Sequence, residues 1–347
     1  MQALKNIRIL DFSKLLPGPL GTHLLATMGA EVIKIEKSDS RDYIRQQPPF
    51  VEHVSTLHFA LNSLKEERVL DFASPEGMAE FISLLRSADV LIEQFRPGVM
   101  KHWGLDYDTL SAINPQLIYI SLSGYGQTGP YSKEAGHDIN YLSLSGVLDM
   151  LRDENGKPII PGIQIADIAG GAYMLQTACL SALLERSRTG MGLYVDVSMT
   201  DNLLPLMVFP LSQYWGGFDQ RAMRILSGGL VNYNVYECAD GRWIALGALE
   251  LKFWNSFCKA IEQKDWQREE LFELSIHIFP KAELDALFKT RNRDEWAAWA
   301  LGKDLCLTPV IELDELEQSA QIQAKKIIKI FKPQNGADMK RIDNPIL

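Results

Sequence analysis

A histidine and an aspartate stand side by side in the run Gly136-His137-Asp138-Ile139-Asn140-Tyr141. Imidazole exchanges protons near neutral pH, so this pair is a candidate acid–base centre. Two plainer roles fit the same residues: a helix cap, and a buried histidine with satisfied ring nitrogens. Further along, Asp167 offers a carboxylate at the expected start of a helix. There it serves either as a cap or as a base beside free amides that steady a developing oxyanion. Glu250, after Leu246-Gly247-Ala248-Leu249, reads on its own as a solvated glutamate at a helix start. Arg96, in Glu93-Gln94-Phe95-Arg96-Pro97-Gly98, is either a surface arginine or a phosphate ligand, since its fork matches phosphate geometry.

Several other chemistries lack their residues. No phosphate-binding GxxxxGK[ST], no GxSxG elbow and no HExxH occurs. The dinucleotide fingerprint is incomplete: Pro17-Gly18-Pro19-Leu20-Gly21 is one glycine short, although Glu36 stands where a ribose-binding acid would. The six histidines are scattered and the four cysteines form no CxxC pair, so no metal and no disulfide framework is expected.

The elements that must position these residues alternate. Ile7–Leu10, Glu31–Ile35, Arg68–Phe72, Val90–Ile92, Leu117–Ser121 and Tyr194–Ser198 read as strands. Between the first two, a Pro17-Gly18-Pro19 turn leads into a helix over Leu20–Met28. Ser74 and Pro75 open another helix. A long one follows Pro161, with Asp167 near its start and Arg186, Arg188 and Gly190 at its end. Thr200–Met207 reads as one more helix. Such alternation predicts an α/β fold with a Rossmann-like, mostly parallel open sheet, whose ligands lie at the carboxyl ends of the strands. After Ser227 the texture changes. Asp240-Gly241 joins two strand-like runs in a hairpin, and helical segments follow. The expected organisation is a large α/β domain over 1–205, completed by about 315–347, a linker over 206–227 and a small α+β domain over 228–310.

The chain of 347 residues carries 35 basic and 44 acidic side chains, a formal charge of -9. That balance opposes general nucleic-acid binding, which needs a basic surface. The most apolar stretch, Leu203–Leu211, is too short to span a bilayer and holds Pro205 and Pro210. No secretory leader and no peroxisomal C-terminal tripeptide is read, so the expected location is cytoplasmic, with no membrane partner.

Taken in order, these segments resemble the family III CoA-transferase and racemase group (CaiB/BaiF-like), and within it the α-methylacyl-CoA racemases. The resemblance runs through Pro17-Gly18-Pro19, Gly29-Ala30-Glu31-Val32, Phe95-Arg96-Pro97-Gly98-Val99, Gly124-Tyr125-Gly126-Gln127-Thr128-Gly129-Pro130, the 136–141 hexapeptide, Ala166-Asp167, Val195-Asp196-Val197-Ser198-Met199, Tyr236-Glu237-Cys238-Ala239-Asp240-Gly241 and Thr308-Pro309-Val310. It implies an interlocked homodimer whose active sites lie between the large domain of one chain and the small domain of the other. It implies His137 and Asp167 as the proton-transfer residues, Glu250 as the partner of His137 from the second chain, and Asp138 as support. Lys37, Lys65 and Arg96 would lie near the nucleotide and phosphates of coenzyme A, with Gly136 and Tyr141 also contributing to binding. Coenzyme A would enter as part of an acyl-CoA substrate, with no tightly bound cofactor. The implied reaction is epimerisation of 2-methyl-branched acyl-CoA thioesters through an enolate. The transferase branch of the group would instead use Asp167 as a nucleophile, forming a mixed anhydride. One departure from the group's pattern is the acidic run Asn62-Ser63-Leu64-Lys65-Glu66-Glu67, where a basic loop is usual.

Overall fold

The apolar runs of the first half form six strands of one sheet. In a computed structural model, which describes residues 2–37, 40–153, 155–218, 224–331 and 337–343, their spatial order is Glu66–Leu70, Glu31–Lys37, Arg8–Asp11, Val90–Glu93, Ile118–Ser123 and Tyr194–Ser198. Every neighbouring pair is parallel. Val90–Glu93 and Ile118–Ser123 are buried along their whole length, as continuous apolar runs in a sheet covered on both faces should be. The chain starts in the middle, winds to one edge, then returns beside the first strand. The winding therefore reverses between Arg8–Asp11 and Val90–Glu93, and the carboxyl ends of those two strands open a crevice.

Two expectations about this sheet are corrected. The strand expected at Arg68–Phe72 is Glu66–Leu70, two residues earlier. It is an edge strand, exposed at its first four residues, so charges rather than apolar residues mark its start. The prolines expected in a turn before the first helix lie inside its first turn: the helix is Pro17–Thr27. Missing amide hydrogens cost nothing there.

Helices cover the sheet. Pro75–Arg86 is capped as expected, with Ser74 Oγ accepting the Gly77 N–H at 3.0 Å. Phe81 on this helix is fully buried and meets Phe12 and Phe72 edge-on. The long helix that carries Asp167 starts as a π-helical segment, Ala166–Tyr173, and continues as the α-helix Met174–Thr189. Gly190, at φ 70°, ends it. The helix expected over Thr200–Met207 is a 3₁₀ helix, Asp201–Met207, with Pro205 inside.

The chain divides into two units, Met1–Val208 with Ala320–Leu347 and Phe209–Ser319. The second unit holds an antiparallel sheet ordered Leu307–Pro309, Trp243–Gly247, Tyr233–Glu237. Leu251–Ala260, Lys281–Phe288 and Arg293–Ala300 are among its α-helices, and Trp254, Phe257, Phe288 and Trp296 build its core. Residues 219–223 of the expected linker and the C-terminal tetrapeptide 344–347 lie outside the described residues. Among the described residues no helix is long and apolar enough to cross a membrane.

Candidate active site

The crevice at the switch point is a cavity of about 420 Å³, within the usual range for small-molecule sites. Leu15 and Pro17 line it from beyond the first strand. Gln94, Phe95, Arg96 and Pro97 come from beyond Val90–Glu93, and Gly124 and Tyr125 from beyond Ile118–Ser123. Gly136, His137, Tyr141 and Asp167 also line it, with Glu134, Asn140 and Met199 among the others. Five of the expected site residues, Arg96, Gly136, His137, Tyr141 and Asp167, thus meet in one cavity of the first unit.

Glycine and tyrosine shape the floor. Tyr141 is buried, and its hydroxyl donates to the Gly136 carbonyl at 2.6 Å. A Cβ on Gly136 would come within 2.6 Å of the Tyr125 hydroxyl and 2.7 Å of the Tyr141 ring. Only glycine leaves room there for the two rings. Burial, then the neighbouring Asp167 charge, raises the Tyr141 phenol above its ordinary range. It stays protonated as a donor.

His137 precedes the helix Asp138–Leu144 as its N-cap residue. Its N–H donates to Asn140 Oδ1 at 3.1 Å, and its carbonyl accepts the Asn140 N–H at 2.8 Å. Those bonds fix the backbone while the residue stays exposed. Asp138 does not cap its own helix. Its Oδ1 accepts the N–H of Asp167 at 2.9 Å, which binds the hexapeptide to the π-helical segment. Among the described residues the Asp167 carboxyl itself takes no hydrogen bond. Half-buried, it is pushed up to about 7 by burial and then by the charge of Asp138. A carboxyl poised there both accepts and returns a proton at neutral pH.

Other expected residues lie elsewhere. Lys65 is corrected as a coenzyme A contact. Its side chain is fully buried, and its ammonium meets Asp11 Oδ2 at 3.0 Å, the Pro19 carbonyl at 2.9 Å and Asn62 Oδ1 at 2.9 Å. With those three acceptors, it clamps the start of the first helix. Glu36 is likewise engaged, by Arg41 at 2.9 Å, Arg45 at 3.1 Å and the Asp42 N–H at 3.1 Å, so it is no ribose acid. Glu67 of the acidic run pairs with Arg45 at 2.7 Å. Lys37 is half-buried, 5.7 Å from the Trp103 ring centroid, and is not among the described residues lining the cavity. Glu250 belongs to the second unit. It is the exposed N-cap residue of Leu251–Ala260. Fully buried Asn232 shapes the approach to it, donating to the carbonyls of Ala248 at 2.7 Å and Leu249 at 3.3 Å.

Sequence reasoning missed Leu15, Gln94 and Glu93. Gln94 Oε1 accepts the Gly18 N–H at 3.1 Å and so ties the segment after Val90–Glu93 to the start of the helix Pro17–Thr27. Glu93 is buried and raised to about 7 by desolvation. Its Oε2 accepts the Phe95 N–H at 2.7 Å, which orients the Gln94–Pro97 segment. The available signal was their position, at or just beyond the carboxyl ends of two central strands. Among the described residues, no group of three or more His, Cys, Asp or Glu side chains is placed to hold a metal ion.

The profile of CoA-transferase family III matches residues 4–346. The chain belongs to that family. It is 34% identical over 320 residues to a human protein named alpha-methylacyl-CoA racemase, covering 90% of this chain and 79% of that one. It is 38% identical over 352 residues to the acetyl-CoA:oxalate CoA-transferase of Acetobacter aceti, covering 98% and 90%. A crystal structure of a CaiB/BaiF family protein from Brucella suis superposes with a TM-score of 0.84 at 26% identity, covering 99% of this chain and 92% of that one. This family III enzyme therefore has both racemases and CoA-transferases among its relatives.

Proposed function

We propose that this enzyme epimerises 2-methyl-branched acyl-CoA thioesters by two-base α-proton transfer. The observation that carries the reading is the shared cavity: an exposed imidazole, His137, and a carboxyl raised to about 7, Asp167. A thioester acidifies its α-hydrogen only modestly, so a weak base needs a stabilised enolate and good placement. One member of the pair removes the proton from one face, and the other returns a proton to the opposite face. Turnover starts with one of them protonated and one not. Asp138 supports Asp167 through its backbone. Arg96, on the cavity lining, would serve as a phosphate ligand for coenzyme A, and Gly136 and Tyr141 form the floor. The binding energy of coenzyme A, remote from the α-carbon, holds the geometry.

The same reading takes the working form as a cytoplasmic homodimer, with Glu250 of the second chain orienting His137. Exposed apolar residues support an extensive protein interface: Leu204, Leu206, Val208, Phe209, Tyr214 and Trp215, the last 76% exposed. His137→Ala and Asp167→Asn should each lower epimer interconversion by about 10²–10⁴-fold, measured by chiral chromatography of the released acids. A His137→Ala enzyme as fast as the wild type would contradict the reading.

A second reading is CoA transfer between carboxylic acids, favoured by the 38% identity to the Acetobacter aceti transferase over nearly the whole chain. Asp167 would then attack the acyl-CoA carbonyl, expelling the CoA thiolate and forming an aspartyl mixed anhydride. Hydroxylamine added with acyl-CoA would convert Asp167 to its hydroxamate, detected by peptide mass. An unmodified Asp167 during active CoA transfer excludes this route.

A further inference from the structure

One residue of the cavity wall holds a backbone conformation that its type avoids. Leu15 has φ 64°, in the left-handed region where the Cβ of an L-residue crowds its own backbone. It lines the cavity that contains His137 and Asp167. A glycine would adopt this turn without help. Here the turn is imposed from outside. Asp42, 1% exposed, accepts the Leu15 N–H on both carboxylate oxygens, at 3.2 and 3.1 Å.

Asp42 is itself immobilised. The fully buried Lys34 ammonium lies 3.3 Å from its Oδ2, and the Ile44 N–H donates to its Oδ1 at 3.2 Å. The same ammonium donates to the Ser13 carbonyl at 2.8 Å. Lys34 thus holds the chain at residue 13 directly and at residue 15 through Asp42. A buried ion pair is an expensive way to secure one turn, since both charges are desolvated. Strain of this kind persists where surrounding structure over-determines it, and it gathers at functional sites.

We propose that Asp42, anchored by Lys34, is a positioning residue that keeps Leu15 in the left-handed turn and so fixes the wall against which the acyl thioester sits. This rests on reading the cavity as the thioester site. It goes beyond that reading by assigning a specificity-shaping role to residues that do not touch the reacting atoms.

The test is a double-mutant cycle on Asp42→Asn and Leu15→Gly in the full-length protein. Binding of 2-methyldecanoyl-CoA is measured by calorimetry, and kcat and KM by α-proton exchange. Asp42→Asn should weaken thioester binding by about tenfold in the wild-type background. In the Leu15→Gly background it should change binding by less than about twofold, because glycine takes the turn unaided. An equal loss in both backgrounds overturns the proposal, as does a lower melting temperature with binding unchanged. If Asp42→Asn does not fold, Leu15→Met and Leu15→Val decide. Valine is β-branched and resists the left-handed region, so it should lose affinity while methionine keeps it. Equal affinities overturn the proposal. Calorimetry needs no turnover, so tight binding without α-proton exchange contradicts the reaction and leaves the positioning result standing.

Discussion

Asp138 takes its hydrogen bond from the backbone of Asp167, and that contact brings two carboxylates under one another's influence. Burial is the first cause of the raised Asp167, and the Asp138 charge is the second. In the proposed reaction the two starting arrangements of His137 and Asp167 contain the same number of protons. Both epimers should therefore give one bell-shaped dependence of kcat/KM on pH, whose limbs belong to the pair. Asp138→Asn keeps an acceptor for the Asp167 N–H and removes the charge. The acid limb of the pair's profile should then move to lower pH, read from kcat/KM between pH 5 and 9. A limb that stays in place would mean that Asp138 acts through geometry alone. Side-chain types and their order along the chain made His137, Asp138 and Asp167 visible in the sequence. The coupling between them was not visible, because Asp138 and Asp167 meet only after the π-helical segment is packed. Lys65 failed for a related reason: a lysine near an expected phosphate site looks the same in sequence whether it meets solvent or three buried acceptors.

At the level of elements, the central strands were legible because both faces are covered and their sequences are uninterrupted apolar runs. The edge strand Glu66–Leu70 was displaced because its exposed residues are charged. Leu307–Pro309 was not assigned as a strand, being only three residues at the edge of the smaller sheet. The start of the Asp167 helix was legible, but its π-helical form was not, since no residue pattern marks the wider turn. The switch-point rule gave the right place for the cavity but not its members; Leu15 and Gln94 carry no catalytic signature. The floor makes a prediction of its own. Gly136→Ala would drive a methyl group into the Tyr125 and Tyr141 rings. That overpacking should cost about 1–3 kcal/mol, seen as a lower urea midpoint, and should slow turnover because His137 is the next residue. Tyr141→Phe removes only the hydroxyl bond to Gly136 and should cost about 0.5–1.5 kcal/mol. A Gly136→Ala protein as stable and active as the wild type would show that the floor yields without consequence.

At the scale of the whole molecule, the match to CoA-transferase family III over residues 4–346 is what supports an acyl-CoA thioester as the proposed substrate. His137 and Asp167 lie in one unit and Glu250 in the other. In the proposed homodimer the site needs both, from different chains. His137→Ala and Glu250→Gln subunits, each inactive alone, should complement when co-expressed. Random pairing makes roughly half the dimers mixed, and each mixed dimer has one intact site, so roughly a quarter of wild-type activity should return. No recovery in isolated mixed dimers would place Glu250 with the His137 of its own chain, and a Glu250→Gln protein active alone would remove it from the site. The reaction itself is tested most directly by incubating a single epimer of a 2-methyl-branched acyl-CoA in heavy water and following both mass and configuration. The account predicts α-deuterium incorporation together with formation of the opposite epimer, the epimer formation being lost in Asp167→Asn. A thioester recovered without deuterium and in its original configuration would contradict it.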